Sequence, residues 1–217
     1  MNFGNQFVNQ SIQKPIQVID YGGGNIGSLI RALERLSIAF VKIDHGSKLT
    51  DEAPIILPGV GAFGSLMTSL NQRELTEPLT AKIKSGVPFL GICVGLQVLM
   101  EASEESPEAR GLGIFKGNVV RFDDQKIAKI PQIGWNAIAI REGHQNPAHL
   151  AADGYVYFVN SYFAKPDDDS VVFYEADYGG PFCAAVQKDN ITAFQFHPEK
   201  SGHFGHDLIR SWVDANR

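Results

Sequence analysis

Four short apolar runs, residues 16–20, 39–43, 54–57 and 88–92, are separated by segments whose apolar residues recur at helical spacing. Between the first two runs, Ile26, Leu29, Ile30, Leu33 and Leu36 form a single stripe, and Asn25 suits the cap position before it. Helical stretches near residues 62–70 and 74–84 follow, the third run being broken at Pro58-Gly59. Strands that alternate with amphipathic helices predict an α/β fold with a mostly parallel central sheet flanked by helices on both faces.

Beyond Gly111 the pattern changes. Residues 118–122, 127–130, 137–140, 155–159, 171–176, 182–187 and 191–196 read as strands with few helices between them. They predict antiparallel additions to the same sheet or a small second sheet. A last helix, residues 203–216, carries Phe204, Leu208, Ile209, Trp212 and Val213 on one face. The 217 residues, 44% hydrophobic and 20% charged, suit one domain spanning 15–217. Residues 1–14 are polar, without the apolar block of a signal peptide, and read as a flexible N-terminal extension.

Charge and composition remove several function classes. A net charge of −5 argues against a nucleic-acid-binding face. The longest apolar stretch, residues 87–100, falls short of the roughly 20 residues a membrane span needs, and it contains Pro88 and Gln97. Two cysteines, Cys93 and Cys183, are too few for a disulfide scaffold and suit a reducing cytoplasm.

The first turn holds a decoy. Gly22-Gly23-Gly24-Asn25-Ile26-Gly27 matches the G-x-G-x-x-G dinucleotide fingerprint, and Asp44 stands where a ribose-binding acid would. The plainer reading is a tight strand-to-helix turn that uses permissive glycines. His203, His206 and Asp207 imitate metal-ligand spacing in the same way, but read more simply as the polar start of a helix.

Gly91-Ile92-Cys93-Val94-Gly95 has the form of a nucleophile elbow with cysteine in place of serine. Small neighbours let the backbone turn sharply, and a helix N-terminus favours the thiolate. A cysteine nucleophile needs a base and a group to orient that base. Of six histidines, only His197 ends an apolar strand with an acid two residues on, in Gln195-Phe196-His197-Pro198-Glu199. In extended chain the two side chains would point the same way. Cys183 reads as a buried structural thiol.

Together these features resemble the class I glutamine amidotransferases. The resemblance is carried by Tyr21-Gly-Gly-Gly-Asn25, Leu57-Pro-Gly-Val-Gly-Ala-Phe63, Gly91-Ile-Cys-Val-Gly-Leu-Gln97, Ser103-Glu-Glu105, Pro131-Gln-Ile-Gly-Trp-Asn136, Tyr157-Phe-Val-Asn-Ser-Tyr162 and Phe194-Gln-Phe-His-Pro-Glu-Lys-Ser201. It covers nearly everything after Ile16. Within the family, the blocks are most similar to those of glutaminase subunits serving a cyclase of histidine biosynthesis.

The resemblance implies Cys93 as nucleophile, His197 as acid and base, and Glu199 as its orienter. It implies backbone oxyanion donors at Gly59, Val60, Gly61 and Val94. It implies substrate contacts from Gln97, Glu105, Ser161 and Tyr162. Asn25, Ser28, Trp135 and Lys200 would face the cyclase subunit in a heterodimer. The implied reaction turns glutamine into glutamate and ammonia, with no cofactor and no metal. Two positions depart from the pattern: Asn160 stands where the family often has His, and Val94-Gly-Leu96 where it often has Leu-Gly-Met. A glutaminase serving another synthase, as in surface-sugar biosynthesis, is the nearest alternative. A cysteine hydrolase and a dinucleotide-binding module are more remote ones.

Overall fold

The structure, a computed structural model, describes residues 14–23, 26–127, 129–144, 150–151 and 153–217. The N-terminal half runs β1 (Ile16–Ile19), α1 (Gly27–Arg35), β2 (Phe40–Ile43), β3 (Ile55–Gly59), α2 (Phe63–Gln72), α3 (Thr76–Lys84), β4 (Phe89–Cys93) and a single helical turn, α4 (Val94–Gln97). β1, β3 and β4 are buried along their whole length, as strands covered on both faces must be.

The second half is β-rich: β5 (Ala102–Ser103), β6 (Gly117–Arg121), β7 (Gln132–Ile140), β8 (Asp153–Asn160), β9 (Tyr162–Pro166), β10 (Val172–Asp177), β11 (Pro181–Lys188) and β12 (Ile191–Phe194), then α5 (Gly202–Ala215). Nine strands form one sheet in the order β2-β1-β3-β4-β12-β11-β10-β7-β8. The first five in that order are parallel and the rest pair antiparallel. β5, β6 and β9 form a separate small sheet. Both forms of the expected antiparallel addition are therefore present.

Three expectations need correction. Pro58-Gly59 does not end the third strand, because the parallel pairing with β4 continues to Gly59 opposite Cys93. The run at 127–130 forms no strand among its described residues; Ile127 and Ile130 instead pack against the core. A strand missing from the sequence reading, β9, begins two residues after β8 and leaves the large sheet for the small one. The proposed extension falls outside the described residues apart from Lys14, as does the Asn25 cap.

The topology fixes where chemistry can occur. β4 lies in the middle of the parallel region, flanked by β3 and β12. The segments following these three neighbours emerge at one edge of the sheet, where open α/β folds place their ligand sites. Those segments are 60–62, 94–97 and 195–200.

Candidate active site

Cys93 sits at the junction of β4 and α4 with φ 55° and ψ −110°, a conformation that non-glycine residues rarely adopt. Such backbone costs of order 1–3 kcal/mol and persists only where the surroundings enforce it. Here the β3–β4 ladder fixes one side of the residue and close glycine packing fixes the other. A Cβ on Gly95 would lie 2.1 Å from the Leu57 carbonyl oxygen, and one on Gly91 would lie 2.6 Å from the Gly95 oxygen. The elbow glycines therefore allow α4 to press directly onto β3 and β4. The helix is a single turn, so its dipole contributes less at Cys93 than the sequence reading supposes.

His197 reaches the same edge from β12. Its main-chain N–H donates to the Tyr157 carbonyl at 2.9 Å, and its carbonyl accepts from Ser201 Oγ at 2.6 Å. The Ser201 hydroxyl in turn accepts from Tyr157 N at 2.9 Å, so β8 clamps the histidine segment at two points. Glu199 Oε1 lies 2.7 Å from His197 Nδ1. The strand alternation expected for this pair is not its cause. His197 is extended, but Pro198–Lys200 is a 3-10 turn that brings the carboxylate back to the ring.

The imidazole is 1% exposed, and its Nε2 is buried on the side facing Cys93. Burial alone would lower its pKa. Interaction with Cys93 and then with Glu199 outweighs burial and raises it from 6.5 to about 10. The Cys183 thiol differs: burial pushes it up to about 12, and Sγ donates to the Ala185 carbonyl at 3.6 Å. It lies in β11, two strands from β4 in the sheet.

A cleft of about 380 Å3 opens over Cys93, within the range that takes a small ligand. Val60, Gly61, Val94, Gln97, Glu105, Ser161, Tyr162, His197 and Lys200 line it. Gly59 does not; it remains in β3, where its Cα packs against α4. Glu105 Oε2 accepts the Phe63 N–H at 2.8 Å and so caps α2. Its second oxygen is not used by that bond.

Gln97 lines the cleft with its side-chain N–H groups engaged. Its Nε2 donates to the Tyr162 carbonyl at 3.0 Å and to Gln195 Oε1 at 3.1 Å. Asn160 Nδ2 donates to the same carbonyl at 3.1 Å, so the Ser161-Tyr162 segment is held from two sides. The Asn at the departing position therefore has a structural use.

Comparison with known proteins decides the family. The model of the class-I glutamine amidotransferase family matches residues 17–215.

The chain belongs to the class I glutamine amidotransferases.

Within that family it is similar to imidazole glycerol phosphate synthase subunit HisH of Rhodopirellula baltica. The two are 42% identical over 205 residues, which cover 92% of this chain and 97% of that protein. The protein of the same description from Methanothermobacter thermautotrophicus is 44% identical over 202 residues, 93% and 99% of the two chains. Among solved structures, one described as a glutamine amidotransferase has TM-score 0.72 at 18% identity, covering 94% of this chain and 99% of its own. PurLQS from Thermotoga maritima has TM-score 0.68 at 19% identity, covering 94% and 100%. These last two show that the amidotransferase fold is shared.

Asp44 pairs with Lys48 at 2.7 Å on the surface, and among the described residues no group of three or more His, Cys, Asp or Glu is placed to hold a metal ion. No helix among them is long and apolar enough to cross a membrane. Ser28 and Lys200 line an adjoining surface cleft, and Trp135 is 57% exposed; Asn25 lies outside the described residues.

Two site residues had no role in the sequence reading. Gln195, fully buried, donates through Nε2 to Cys93 Sγ at 3.7 Å. The hydroxyl of Tyr21, 3% exposed, meets the backbone of Val60. Both occur inside the blocks that carry the resemblance. A buried Gln two residues before a candidate catalytic histidine is the signal that could have pointed to the first.

Proposed function

We propose that this chain hydrolyses glutamine to glutamate and ammonia and supplies the ammonia to a cyclase subunit, which forms imidazole glycerol phosphate and AICAR in histidine biosynthesis. The observation that carries the reading is a cleft lined by Cys93, His197 and Glu105, with Glu199 Oε1 2.7 Å from His197 Nδ1. Relatives over 40% identical along almost their whole length bear the matching subunit description.

In this reading His197 already carries its proton when Cys93 Sγ attacks the side-chain carboxamide carbon of glutamine. A group held at about 10 keeps that proton until the carbon–nitrogen bond breaks, and then gives it to the departing ammonia. Water, deprotonated by the same imidazole, clears the γ-glutamyl thioester and releases glutamate. Glu199 steadies the ring. The Val94 N–H and an N–H from Val60 or Gly61 receive the oxyanion. The free oxygen of Glu105 takes the α-ammonium, and the backbone of Ser161 and Tyr162 holds the α-carboxylate.

A cyclase partner is supported by a surface feature. Among the described residues the exposed large apolar side chains are Val41, Ile133, Trp135, Tyr155 and Val159. The last four lie in the β7–β8 hairpin, with Ile133 directly opposite Val159. Val159 also lines the mouth of the cleft, beside Lys200. An apolar patch at the rim of an active site suits a protein partner that covers it. The cytoplasm, where thiols stay reduced, is the fitting compartment for Cys93.

The test is glutamate release from glutamine by the chain alone, with the histidine-pathway cyclase, and with cyclase plus its nucleotide ligand. Turnover greatest in the liganded complex is expected. Absence of glutamate in all three would overturn the reading.

A further inference from the structure

His197 and Tyr157 are joined much as in an antiparallel pair, where two opposed residues exchange both main-chain bonds. One bond is direct: the His197 N–H donates to the Tyr157 carbonyl at 2.9 Å. The other runs through a side chain. The Tyr157 N–H donates to Ser201 Oγ at 2.9 Å, and that hydroxyl donates to the His197 carbonyl at 2.6 Å. The same carbonyl accepts the Lys200 N–H at 3.0 Å, within the 3-10 turn that returns Glu199 to the ring. The hydroxyl therefore fills the gap between β8 and a carbonyl already committed to that turn.

We propose that Ser201 is a positioning residue whose hydroxyl, wedged between β8 and the His197 carbonyl, sets the angle at which the imidazole meets Cys93. The proposal rests on the glutaminase reading and adds to the triad the side chain that aims its acid and base.

The surroundings suit a wedge. Ser201 and His197 are each 1% exposed, so water does not take the place of the hydroxyl. The backbone of Ser201 is held without it. Its N–H donates to the Pro198 carbonyl at 3.1 Å, and its carbonyl accepts the Gly205 N–H at 3.1 Å. A Cβ on Gly205 would lie 2.1 Å from the Pro198 oxygen and 2.6 Å from Ser201 Cβ. Glycine there lets α5 close down on the turn and fix the serine, whose hydroxyl then bears on β8. Without that oxygen the Tyr157 N–H loses its partner, and an unpaired donor is costly. The His197 segment then closes towards β8 and carries the ring away from Cys93. Ser201 does not line the cleft, so its influence on the reaction passes through His197.

The experiment is Ser201→Ala, which removes the oxygen and leaves the turn's backbone bonds in place. A reacting group misplaced by about 1 Å costs on the order of a hundredfold. In complex with liganded cyclase, kcat for glutamine is expected to fall by about ten- to a hundredfold, with KM little changed. A wild-type kcat would overturn the wedge. Nuclear magnetic resonance of the His197 imidazole gives a readout that needs no turnover. Cys93 and Glu199 hold its pKa up at about 10, so a ring moved off them titrates lower, towards 6.5. A merely structural role would lower turnover and leave this titration where it was, and that result would also overturn the wedge. Ser201→Cys fills the same gap with a larger and weaker donor, and serves both measurements should the alanine variant not fold. It too should lose kcat and titrate lower, and wild-type values for both would overturn the wedge. A lowered titration in the variant, with no glutamate released by any wild-type complex, would overturn the glutaminase reading and leave Ser201 as the residue that places His197.

Discussion

Gln195 donates its side-chain amide to Cys93 Sγ at 3.7 Å, while its own oxygen accepts from Gln97 at 3.1 Å. The chain of bonds continues from Gln97 to the Tyr162 carbonyl, linking the candidate nucleophile to the substrate clasp. Gln195→Leu keeps the volume and removes the donor. Hydrogen bonds to groups that carry charge contribute roughly 1.5–3 kcal/mol, so kcat for glutamine should fall about ten- to a hundredfold. An unchanged kcat would mean that the amide only packs against the sulfur.

The pair His197 and Glu199 predicts an order of effects. His197→Asn removes the group that moves the proton, and a loss of about 10²–10⁴-fold is expected. Glu199→Gln leaves that group in place and should cost less. It also removes one of the interactions that hold the imidazole's pKa up, so the alkaline limb of the rate profile should move to lower pH. A larger loss at Glu199 than at His197 would show the roles to be reversed.

The same histidine couples stability to pH. Its folded pKa, about 10, lies above its ordinary 6.5, so the folded chain binds this proton more tightly than the unfolded chain does. The resulting stabilisation is complete below about pH 6.5 and is lost as the pH rises through about 10. Urea midpoints measured from pH 6.5 to 10 should therefore fall more steeply in the wild type than in His197→Asn. Parallel curves would contradict it.

Gly95→Ala tests the packing that makes the elbow. The added methyl group would meet the Leu57 carbonyl at 2.1 Å, in backbone that cannot give way cheaply. Overpacking of this kind costs typically about 1–3 kcal/mol, and the displaced α4 would misplace Cys93 as well. Thermal unfolding should report the first effect and glutamine turnover the second. A variant with wild-type values for both would show that α4 has slack.

The two thiols should differ in reactivity. A glutamine-analogue alkylator such as diazo-oxo-norleucine should label Cys93, which lines the cleft, and spare Cys183, whose thiol burial pushes up to about 12. Peptide mapping that found the label on Cys183 would reverse the assignment.

The legible parts of the molecule were those that depend on neighbours in the chain. The fully buried runs of β1, β3 and β4, the helices between them, the elbow and the pairing of His197 with Glu199 all announce themselves locally. The missing parts depend on distant pairings. Residues 155–166 form an almost unbroken β-prone stretch, and nothing in it marks Ser161 as the point where the chain leaves one sheet for another. Ile127 and Ile130 are apolar enough for a strand, but spend that character on packing. Gln195 meets Cys93 across 102 residues, and Tyr21 meets Val60 across 39. Such partners are invisible to periodicity. Gln97 faces the expected side of its helix, yet its donors are taken by groups that only the fold brings near.

The central claim is that Cys93 attacks glutamine to generate ammonia that a partner consumes. The direct measurement is imidazole glycerol phosphate synthesis by the cyclase complexed with Cys93→Ala, supplied in turn with glutamine and with ammonium salt. Synthesis from glutamine should vanish, while synthesis from ammonium salt continues at the wild-type rate. Glutamine-dependent synthesis persisting near the wild-type rate would contradict the account.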